Sequence, residues 1–274
     1  VLVTGASTGI GRATALRLDA QGFTVFAGVR RVIDGQALRA VASERLQPLI
    51  LDVTEPTTIA AAAATIAASR LPLLGLVNNA GIAAAAPLEF VPIDDFRHQL
   101  EVNVVGALAV TQAMLGMLRE SGGRIVNITS IGGLVAGPML GPYHASKFAL
   151  EAMTDTMRIE LAPWGIRVAA IEPGQIATPI WRTASAKADT MLEAMPAAAR
   201  ELYGRGIAGA RKAAARAEKT GLPPEKVAEA IVHALTVRRP KTRYLVGSDA
   251  RLVGRLVRYL PDRTRDRLMV RRRA

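Results

Sequence analysis

Short apolar runs alternate with helical patterns along most of the chain, and each run ends in small or polar residues. The predicted strands are Val1–Val3, Thr24–Val29, Leu49–Leu51, Leu73–Val77, Arg124–Thr129, Arg167–Ile171 and Tyr244–Val246. The predicted helices are Ile10–Ala20, Thr57–Ser69, Asp94–Glu120, Tyr143–Leu161 and Glu225–Arg238. Apolar strands separated by helices are typical of a parallel sheet with both faces covered. The pattern therefore predicts an α/β, doubly wound fold.

The regular alternation weakens after Gly174. Residues 175–220 are rich in alanine and in basic residues, and their larger apolar members are Ile180, Trp181, Met191, Leu192 and Met195. Residues 251–274 are rich in arginine, and Arg251, Arg255 and Arg258 recur at helical spacing opposite an apolar side. No repeat or linker divides the chain, so we expect one domain over residues 1–274.

Composition narrows the class of protein. Half of the 274 residues are hydrophobic, which excludes a largely disordered chain. The absence of cysteine excludes disulfides, thiolate zinc sites and a cysteine nucleophile. The three histidines, His98, His144 and His233, are not spaced as in a metal-binding motif, so we expect no metal ion. The net charge of +12 is compatible with binding to nucleic acid. However, aromatic residues are few and no known nucleic-acid recognition motif is present, so we expect no nucleic-acid partner.

The sequence gives only weak indications of where in the cell the protein is located. Val102–Leu118 and Ile125–Ser146 are free of charge, but polar residues, glycines or prolines interrupt them, so neither resembles a membrane span. No basic and apolar leader with a cleavage site is recognisable. The sequence starts at Val1 without an initiator methionine, and we expect a few native residues before it. The lack of cysteine fits a reducing cytosol, and a cytoplasmic location is expected.

A glycine-rich turn joins the first strand to the first helix. Thr4–Gly11 has the form Gly-xxx-Gly-x-Gly, with Gly5, Gly9 and Gly11 as its glycines. Glycines let a backbone approach a pyrophosphate closely, and the helix N-terminus offers N–H groups and a positive dipole end. A tight turn needs glycine for steric reasons too, so the motif indicates a nucleotide site only in combination with motifs further along the chain.

Several such motifs occur in order over residues 1 to about 180. They are Asp52-Val53, Asn78–Gly81 (NNAG), Asn103, Ser130, Tyr143–Lys147 (YxxxK), and Pro173-Gly174 with Thr178. Together with the glycine-rich turn, this series resembles the short-chain dehydrogenase/reductase family. Three stretches are similar to its retinol and hydroxysteroid dehydrogenase branch: Val25–Gly28, Leu150–Leu161 followed by Pro163-Trp164-Gly165, and Ile171–Gly174. The resemblance implies a Rossmann-type sheet with a C-terminal helical lid, over about residues 175–220, and the basic tail.

Tyr143 and Lys147 are four residues apart and therefore share one face of a helix. A neighbouring ammonium favours a phenolate, so we expect the pKa of Tyr143 to fall and the residue to act as acid or base. The resemblance implies that Ser130 binds the reacting oxygen and that Lys147 reaches the nicotinamide ribose. It also implies that Asn103 holds a water. A Tyr–Lys pair alone is more commonly a solvated helix face, and His144 is expected to be structural or peripheral.

The resemblance implies a nicotinamide cofactor. The residues expected to hold it are Gly5, Ser7, Thr8, Gly9, Ile10, Gly11, Asp52, Val53, Asn79, Ala80, Gly81, Tyr143, Lys147, Pro173, Gly174, Ile176 and Thr178. Val29 stands where an NAD-type acidic residue is expected, and Arg30 and Arg31 follow it. Because guanidinium groups suit a 2′-phosphate, the sequence favours NADP, with NAD as the alternative.

The predicted function is NAD(P)-dependent interconversion of a hydrophobic alcohol and its ketone or aldehyde, which is retinoid-, steroid- or lipid-like. The alternative is a catalytically silent protein of the same fold that senses dinucleotides. The resemblance also implies a homo-oligomer, a dimer or tetramer, through Asp94–Glu120 and Tyr143–Leu161. The basic tail predicts either a packed terminal helix, which we favour, or a helix that contacts an anionic membrane.

Overall fold

The computed structural model describes residues 1–185 and 196–271, without the side chains of residues 258 and 268–271. Seven parallel strands form one sheet in the order β3-β2-β1-β4-β5-β6-β7. The strands are β1 (Leu2–Val3), β2 (Val25–Val29), β3 (Leu46–Ile50), β4 (Gly75–Asn78), β5 (Arg124–Ile128), β6 (Arg167–Pro173) and β7 (Arg243–Val246). This arrangement confirms the predicted doubly wound α/β fold.

Helices cover both faces of this sheet. They are α1 (Gly9–Ala20), α2 (Val32–Arg39), α3 (Pro56–Ala68), α4 (Ile93–Leu100), α5 (Gly106–Ser121), α6 (Gly141–Glu160), α7 (Ala197–Thr220), α8 (Pro224–Thr236), α9 (Ser248–Tyr259) and α10 (Asp262–Arg271). A π-helical turn, Glu101–Val105, joins α4 to α5. Helix α5 ends where Gly122 adopts φ +59°, a left-handed conformation that glycine adopts without strain.

Two hydrophobic clusters lie on opposite faces of the sheet. On one face, Leu18 of α1 and Ile231 of α8 pack against β1, β2 and β5. On the other face, Ile66 of α3, Met114 of α5 and Met157 of α6 pack against the alternate side chains of the strands. Because each strand is buried on both sides, its apolar run is continuous, as the sequence pattern indicated.

The structure departs from the predicted elements in three places. Helix α2 follows β2 directly and was missed, because Gly35 interrupts its short pattern. The predicted long helix is divided by the π-helical turn at Asn103. Residues of the predicted lid contain α7, a helix of 24 residues that was missed because Gly204, Gly206 and Gly209 interrupt its pattern.

The segment Ile93–Ser121 is long and apolar enough to cross a membrane, judged by length and composition alone. Val110, Met114 and Leu118 of this segment are fully buried against the sheet. Core helices of globular domains have the same composition, and the contacts of these three residues match that role.

Candidate active site

The predicted site residues meet at the carboxyl edge of the sheet. The strand order reverses between β1 and β4, and the turns after these two strands therefore diverge and leave a crevice. The turn that contains Thr4–Gly11 follows β1, and the turn that contains Asn79–Gly81 follows β4. Asp52 and Val53 follow β3, Ser130 follows β5, and Gly174 follows β6, at the same edge.

The glycine-rich turn forms a cradle in which larger side chains do not fit. Gly5 has φ +63° and Gly9 has φ +55°. A Cβ atom on Gly11 would lie 2.2 Å from the carbonyl oxygen of Gly5, so no other residue fits there. Thr8 precedes α1, and no side-chain hydrogen bond from Thr8 caps this helix in the described structure. The first-turn N–H groups can therefore bind a pyrophosphate, with Ser7 and Ile10 flanking them.

Thr4 and Asn79 connect this cradle to the turn after β4. The Thr4 hydroxyl oxygen accepts hydrogen bonds from the backbone N–H groups of Asn79 and Ala80, both at 3.0 Å. The Asn79 side-chain amide donates to the carbonyl oxygens of Thr4 at 2.9 Å and Gly5 at 3.1 Å. The amide of Asn79, which sequence reasoning assigned to cofactor contact, therefore also holds the phosphate-binding turn in shape.

Asp52 and Arg30 lie at the end of the crevice where the adenosine of the cofactor is expected. Asp52 accepts hydrogen bonds from the backbone N–H and the hydroxyl of Thr54, at 3.0 and 2.8 Å. Burial opposes the charge of Asp52, but these bonds and the positive charge of Arg30 together lower its pKa. Val53, next in the chain, is buried against Gly106.

The two arginines after β2 differ in their contacts. Arg31 donates two hydrogen bonds to Asp34, at 2.9 and 2.7 Å. Its hydrogen bonds with this carboxylate raise the pKa of Arg31, although the arginine itself is exposed. Among the described residues, Arg30 makes no hydrogen bond or ion pair, and its side chain is exposed. Arg30 is therefore the better placed of the two for a phosphate on the adenosine ribose.

The catalytic side chains lie on α6 and the turn before it. Ser130 precedes the turn, and its hydroxyl lies within reach of the Tyr143 phenol. Lys147 lies one helical turn beyond Tyr143, and its Nζ atom is 5.7 Å from the centre of the Tyr143 ring. The same Nζ atom donates a 2.8 Å hydrogen bond to the carbonyl oxygen of Ile128. The structure therefore brings Ser130, Tyr143 and Lys147 together as the sequence predicted.

The pKa of Tyr143 differs from the sequence-based expectation. Burial raises this pKa above its ordinary value and outweighs the opposing hydrogen bond with Ser130. Burial also lowers the pKa of Lys147 to about 8, against a partial compensation by Glu151. The expected lowering of the phenol pKa is wrong for the chain alone, because Lys147 directs its ammonium to Ile128 and both groups have lost water.

Asn103 lies in the π-helical turn and is only 1% exposed. Its side-chain oxygen accepts from the N–H of Ile82, and its amide donates to the Ile82 carbonyl and to the Ser146 hydroxyl, at 2.9, 3.0 and 3.0 Å. The Ser146 hydroxyl in turn donates to the carbonyl oxygen of Tyr143 at 2.7 Å. A π-helical turn is common at functional sites, and here it presents Asn103 to α6.

The segment after β6 closes the crevice on the far side from Arg30. Thr178 packs on Gly9, where an added Cβ would lie 3.1 Å from the threonine methyl. Asp249 accepts a 2.7 Å hydrogen bond from the N–H of Gln175, and its carboxylate lies directly against Gly174. Helix α9 therefore fixes the position of the segment that contains Pro173, Gly174 and Ile176.

His144 has a structural role, as expected. Its Nε2 atom accepts a 3.1 Å hydrogen bond from the N–H of Gly137. Its Nδ1 atom lies 2.9 Å from the carbonyl oxygen of Gly132. Because Nε2 is the acceptor, Nδ1 carries the ring proton and donates a hydrogen bond to this oxygen. The histidine therefore fixes the loop between Ser130 and Tyr143 and has no free nitrogen left as a base.

A cavity of about 160 Å³ opens beside this site. It lies between the loop after β4, the residues before α6, and the lid helix α7. Its lining is mostly apolar and small, with seven alanines and only Gln175, Ser185 and Arg211 as polar or charged members. Met139 and Leu140 line it just before Tyr143, so the cavity ends close to the catalytic helix. This arrangement suits an apolar molecule.

The structure describes only some of the residues predicted to line the cavity from the lid. Trp181 lines the cavity, and its indole N–H donates a 2.9 Å hydrogen bond to the carbonyl oxygen of Ile176. Ile180 is half-buried and is not among the residues around this cavity. Met191, Leu192 and Met195 lie outside the described residues. Within the described part of the chain, no group of three or more acidic, histidine or cysteine residues could hold a metal ion.

Sequence reasoning missed two residues that support the site. Ser146 links Asn103 to the catalytic helix, and its place inside the Tyr143–Lys147 motif was the available signal. Asp249 lies more than 70 residues from Gln175 in sequence, so no local pattern indicated their contact. The sequence around Asp249 shows only that a helix starts there.

The comparisons agree with this geometry. A family model described as short chain dehydrogenase matches residues 1–189. Retinol dehydrogenase 5 of Mus musculus is 37% identical over 279 residues, covering 98% of this chain and 87% of the relative. An NADPH-dependent 3-dehydrocapnine reductase of Ornithobacterium rhinotracheale is 35% identical, covering 97% and 94%. A solved short chain dehydrogenase from Burkholderia cenocepacia J2315, in complex with NADP, has TM-score 0.73 and 28% identity, covering 96% and 93%.

The chain belongs to the short-chain dehydrogenase/reductase family, and the resemblance to its retinol dehydrogenase branch is confirmed. It is an NAD(P)-dependent oxidoreductase that interconverts an alcohol and its carbonyl compound. The cradle at Gly5–Gly11 and the uncapped helix behind it fit the pyrophosphate of such a cofactor. When bound, the nicotinamide accepts or supplies the hydride.

The chain itself supplies the proton chemistry and the positioning. The Tyr143 phenol can give its proton to a carbonyl oxygen during reduction, and its phenolate can take the hydroxyl proton during oxidation. Ser130 has a hydroxyl beside that phenol and can bind the same substrate oxygen. Lys147 is 7% exposed, and its ammonium lies 5.7 Å from the centre of the phenol ring. A positive charge there works in favour of the phenolate, but burial outweighs it in the chain alone. The apolar cavity next to these residues offers a substrate a surface that binds water poorly.

Proposed function

We propose that this protein uses NADP(H) to interconvert a hydrophobic alcohol with its ketone or aldehyde. The observation that carries the substrate class is the alanine-lined cavity beside Tyr143. Small side chains leave its volume open, and the lid supplies Trp181 and Ile207 as larger apolar surfaces. Apolar substrates such as retinoids, steroids or lipid-like ketones gain binding energy by leaving water for such a surface.

The preference for NADP rests on the end of β2. Val29 ends this strand where an acidic residue would repel a 2′-phosphate, and Arg30 follows with an exposed guanidinium. Arg30 lies near Asp52, at the adenosine end of the crevice. The names of two similar proteins agree, since one is an NADPH-dependent reductase and the other binds NADP.

Cofactor binding tests the NADP preference directly. We expect NADPH to bind more tightly than NADH when nicotinamide fluorescence is followed with the purified protein. Arg30→Ala should weaken NADPH binding at least about tenfold and leave NADH binding unchanged, because one charged phosphate contact is lost. Arg39→Ala is the matched control, since Arg39 is an exposed arginine on the neighbouring helix α2. Equal binding of both cofactors would contradict the preference.

A substrate screen with the preferred cofactor tests the hydrophobic class. Retinoids, steroids and lipophilic ketones should turn over, whereas short polar alcohols should not. Ala214→Phe, which fills part of the cavity from α7, should raise KM for the best substrate without changing NADPH binding. An unchanged KM would show that the substrate binds elsewhere. No observation favours the catalytically silent alternative, because Asn103, Ser130 and Tyr143 with Lys147 are all in place.

We propose a homo-oligomer in the cytoplasm. Val105, Leu108 and Phe148 present apolar side chains at the surface around α5 and α6, and such surface is typical of an interface. The cytoplasmic location is supported by the absence of cysteine, which fits a reducing compartment. Light scattering after size exclusion tests the oligomer, and a monomer at micromolar concentration would contradict it. Fractionation of native cells tests the location.

For the basic tail, packing on the domain is the better supported alternative. Gly254 of α9 lies against Leu245 of β7, where an added Cβ would be 2.8 Å from the leucine side chain. Leu252 and Tyr259 of the same helix remain exposed, and they are the residues that could contact a membrane. Sedimentation with anionic vesicles at low salt tests this second possibility, and no binding would exclude it.

A further inference from the structure

Two buried carboxyl groups lie behind the catalytic helix and have no part in the proton chemistry described so far. Glu151 is one helical turn beyond Lys147 on α6 and is 6% exposed. Glu172 is on β6, which packs against α6, and is 1% exposed. Buried carboxylates are costly unless they are paired, so their presence beside an acid/base site calls for a physical reason.

Arg243 of β7 holds this pair in place. Its Nη1 atom donates to Glu151 and, at 3.0 Å, to Glu172, while its Nη2 atom donates to Asp155 at 2.6 Å. Asp155 is also paired with Arg158 at the surface end of the cluster. The cluster therefore contains three carboxyl groups and two guanidinium groups. The ammonium group of Lys147 is a third cation on the same side of α6.

The carboxyl groups of Glu151 and Glu172 meet at the same guanidinium nitrogen of Arg243. Burial and the negative charge of Glu151 raise the pKa of Glu172 to about 7, against the effect of Arg243. Glu172 is therefore the member of the pair that takes up a proton as the pH falls below neutral. Among the described residues, one oxygen of Glu151 is buried and has no hydrogen-bond partner.

The charge of Glu151 acts on Lys147. Side chains four residues apart on a helix are neighbours, and Glu151 is the charged group that counteracts the effect of burial on the Lys147 pKa. Gly133 packs on the helix between them, with room for no side chain: an added Cβ would lie 2.9 Å from the Lys147 carbonyl oxygen and 3.0 Å from Glu151 Cγ. Water is thus kept from this part of α6, so the two charges interact at low dielectric.

We propose that Glu151 is a positioning residue for the acid/base step: its carboxylate keeps Lys147 in the ammonium form. Arg243 and Glu172 hold that carboxylate in place. Lys147 needs its charge to favour the phenolate of Tyr143, and burial alone works against that charge. This inference rests on the role of Lys147 in the family's reaction and is independent of which cofactor or substrate the protein prefers.

The titration of Lys147 tests the proposal without any activity measurement. The chain has few lysines, so the ¹³Cε signals of labelled lysine in the cofactor-free protein can be assigned by the loss of one signal in Lys147→Met. Glu151→Gln should lower the titration midpoint of Lys147 by about one pH unit, the usual effect of losing one close opposite charge. Glu151→Asp keeps the charge and should bring the midpoint back toward that of the unmodified protein.

Two variants separate this role from general damage to the fold. Glu172→Gln removes a carboxyl group that lies on β6 and not one helical turn from Lys147, so it should move the midpoint less than Glu151→Gln does. Glu160→Gln changes an exposed carboxylate at the end of α6 and should have no effect. In the same variants, the pH profile of alcohol oxidation should change most for Glu151→Gln and not at all for Glu160→Gln. An unchanged Lys147 midpoint in folded Glu151→Gln would overturn the proposal, whatever the outcome of the cofactor and substrate tests.

Discussion

Asn103 and Ser146 are joined by a 3.0 Å hydrogen bond from the asparagine amide to the serine hydroxyl. Ser146 is fully buried and passes the connection on to the backbone of Tyr143. The π-helical turn and the catalytic helix are therefore coupled by a small buried group inside the Tyr143–Lys147 motif. Disturbing this group should affect the reaction without removing any side chain that reacts.

Ser146→Ala is expected to lower the free energy of unfolding by about 1 kcal/mol and the rate of turnover several-fold. The stability is lost with two hydrogen bonds, and the rate falls because Asn103 and Tyr143 are less well fixed. Urea unfolding and steady-state kinetics measure the two effects. Ser121→Ala is the control, because Ser121 bonds the Leu73 carbonyl away from the site, at 2.6 Å. A comparable loss of rate in the control would show that stability alone is responsible.

Oxidation and reduction should depend on pH in opposite directions. The pKa of Tyr143 is raised, so its phenol is protonated at neutral pH in the chain alone. Reduction needs the phenol and should persist at neutral pH and decline in alkaline solution. Oxidation needs the phenolate and should increase with pH. Initial rates from pH 6 to 10 measure both, and Tyr143→Phe should abolish both while cofactor still binds. An oxidation rate independent of pH would exclude Tyr143 as the base.

Lys147→Met should stabilise the cofactor-free protein near neutral pH. Folding lowers the pKa of Lys147 from 10.5 to about 8, so the unfolded chain binds more protons between these values. The buried ammonium then costs about 3 kcal/mol at pH 7, and the cost declines as pH rises toward 10. Chemical unfolding at both pH values should show the advantage of Lys147→Met shrinking by about 2 kcal/mol. An advantage that does not change with pH would contradict the shifted pKa.

Asp249→Ala should weaken cofactor binding several-fold, although Asp249 is far from the glycine-rich turn in sequence. The hydrogen bond to the Gln175 N–H is lost, and the segment that packs Thr178 on Gly9 is then less well fixed. Fluorescence titration with NADPH measures the change. Asp266→Ala removes an exposed carboxylate from α10 and should leave the affinity unchanged. An unaltered affinity in Asp249→Ala would show that the segment keeps its position without α9.

Patterns that are local in sequence predicted most of the fold and the centre of the site. Hydrophobic periodicity within one element was enough to predict the strands that end at Val3 and Val29. Residue spacing within one helix was enough to predict that Tyr143 and Lys147 share a face. Helix α7 was missed because three glycines lie inside it, and glycine is a poor helix former. The pKa direction of Tyr143 was wrong because burial depends on packing from distant parts of the chain. Glu172 and Arg243 meet for the same reason, across neighbouring strands.

The two ends of the lid meet each other. Leu222, just after α7, exchanges backbone hydrogen bonds with Gln175 and Ala177 at 2.9 Å, so the chain leaves the sheet and returns to it at nearly one point. Because hydrogen bonds hold the two ends of the lid together, a change in the length or sequence of the lid alters the entropy of loop closure only slightly. Evolution, or a protein engineer, can therefore replace residues 179–221 as a unit while Thr178 and the rest of the hydride-transfer machinery stay in place.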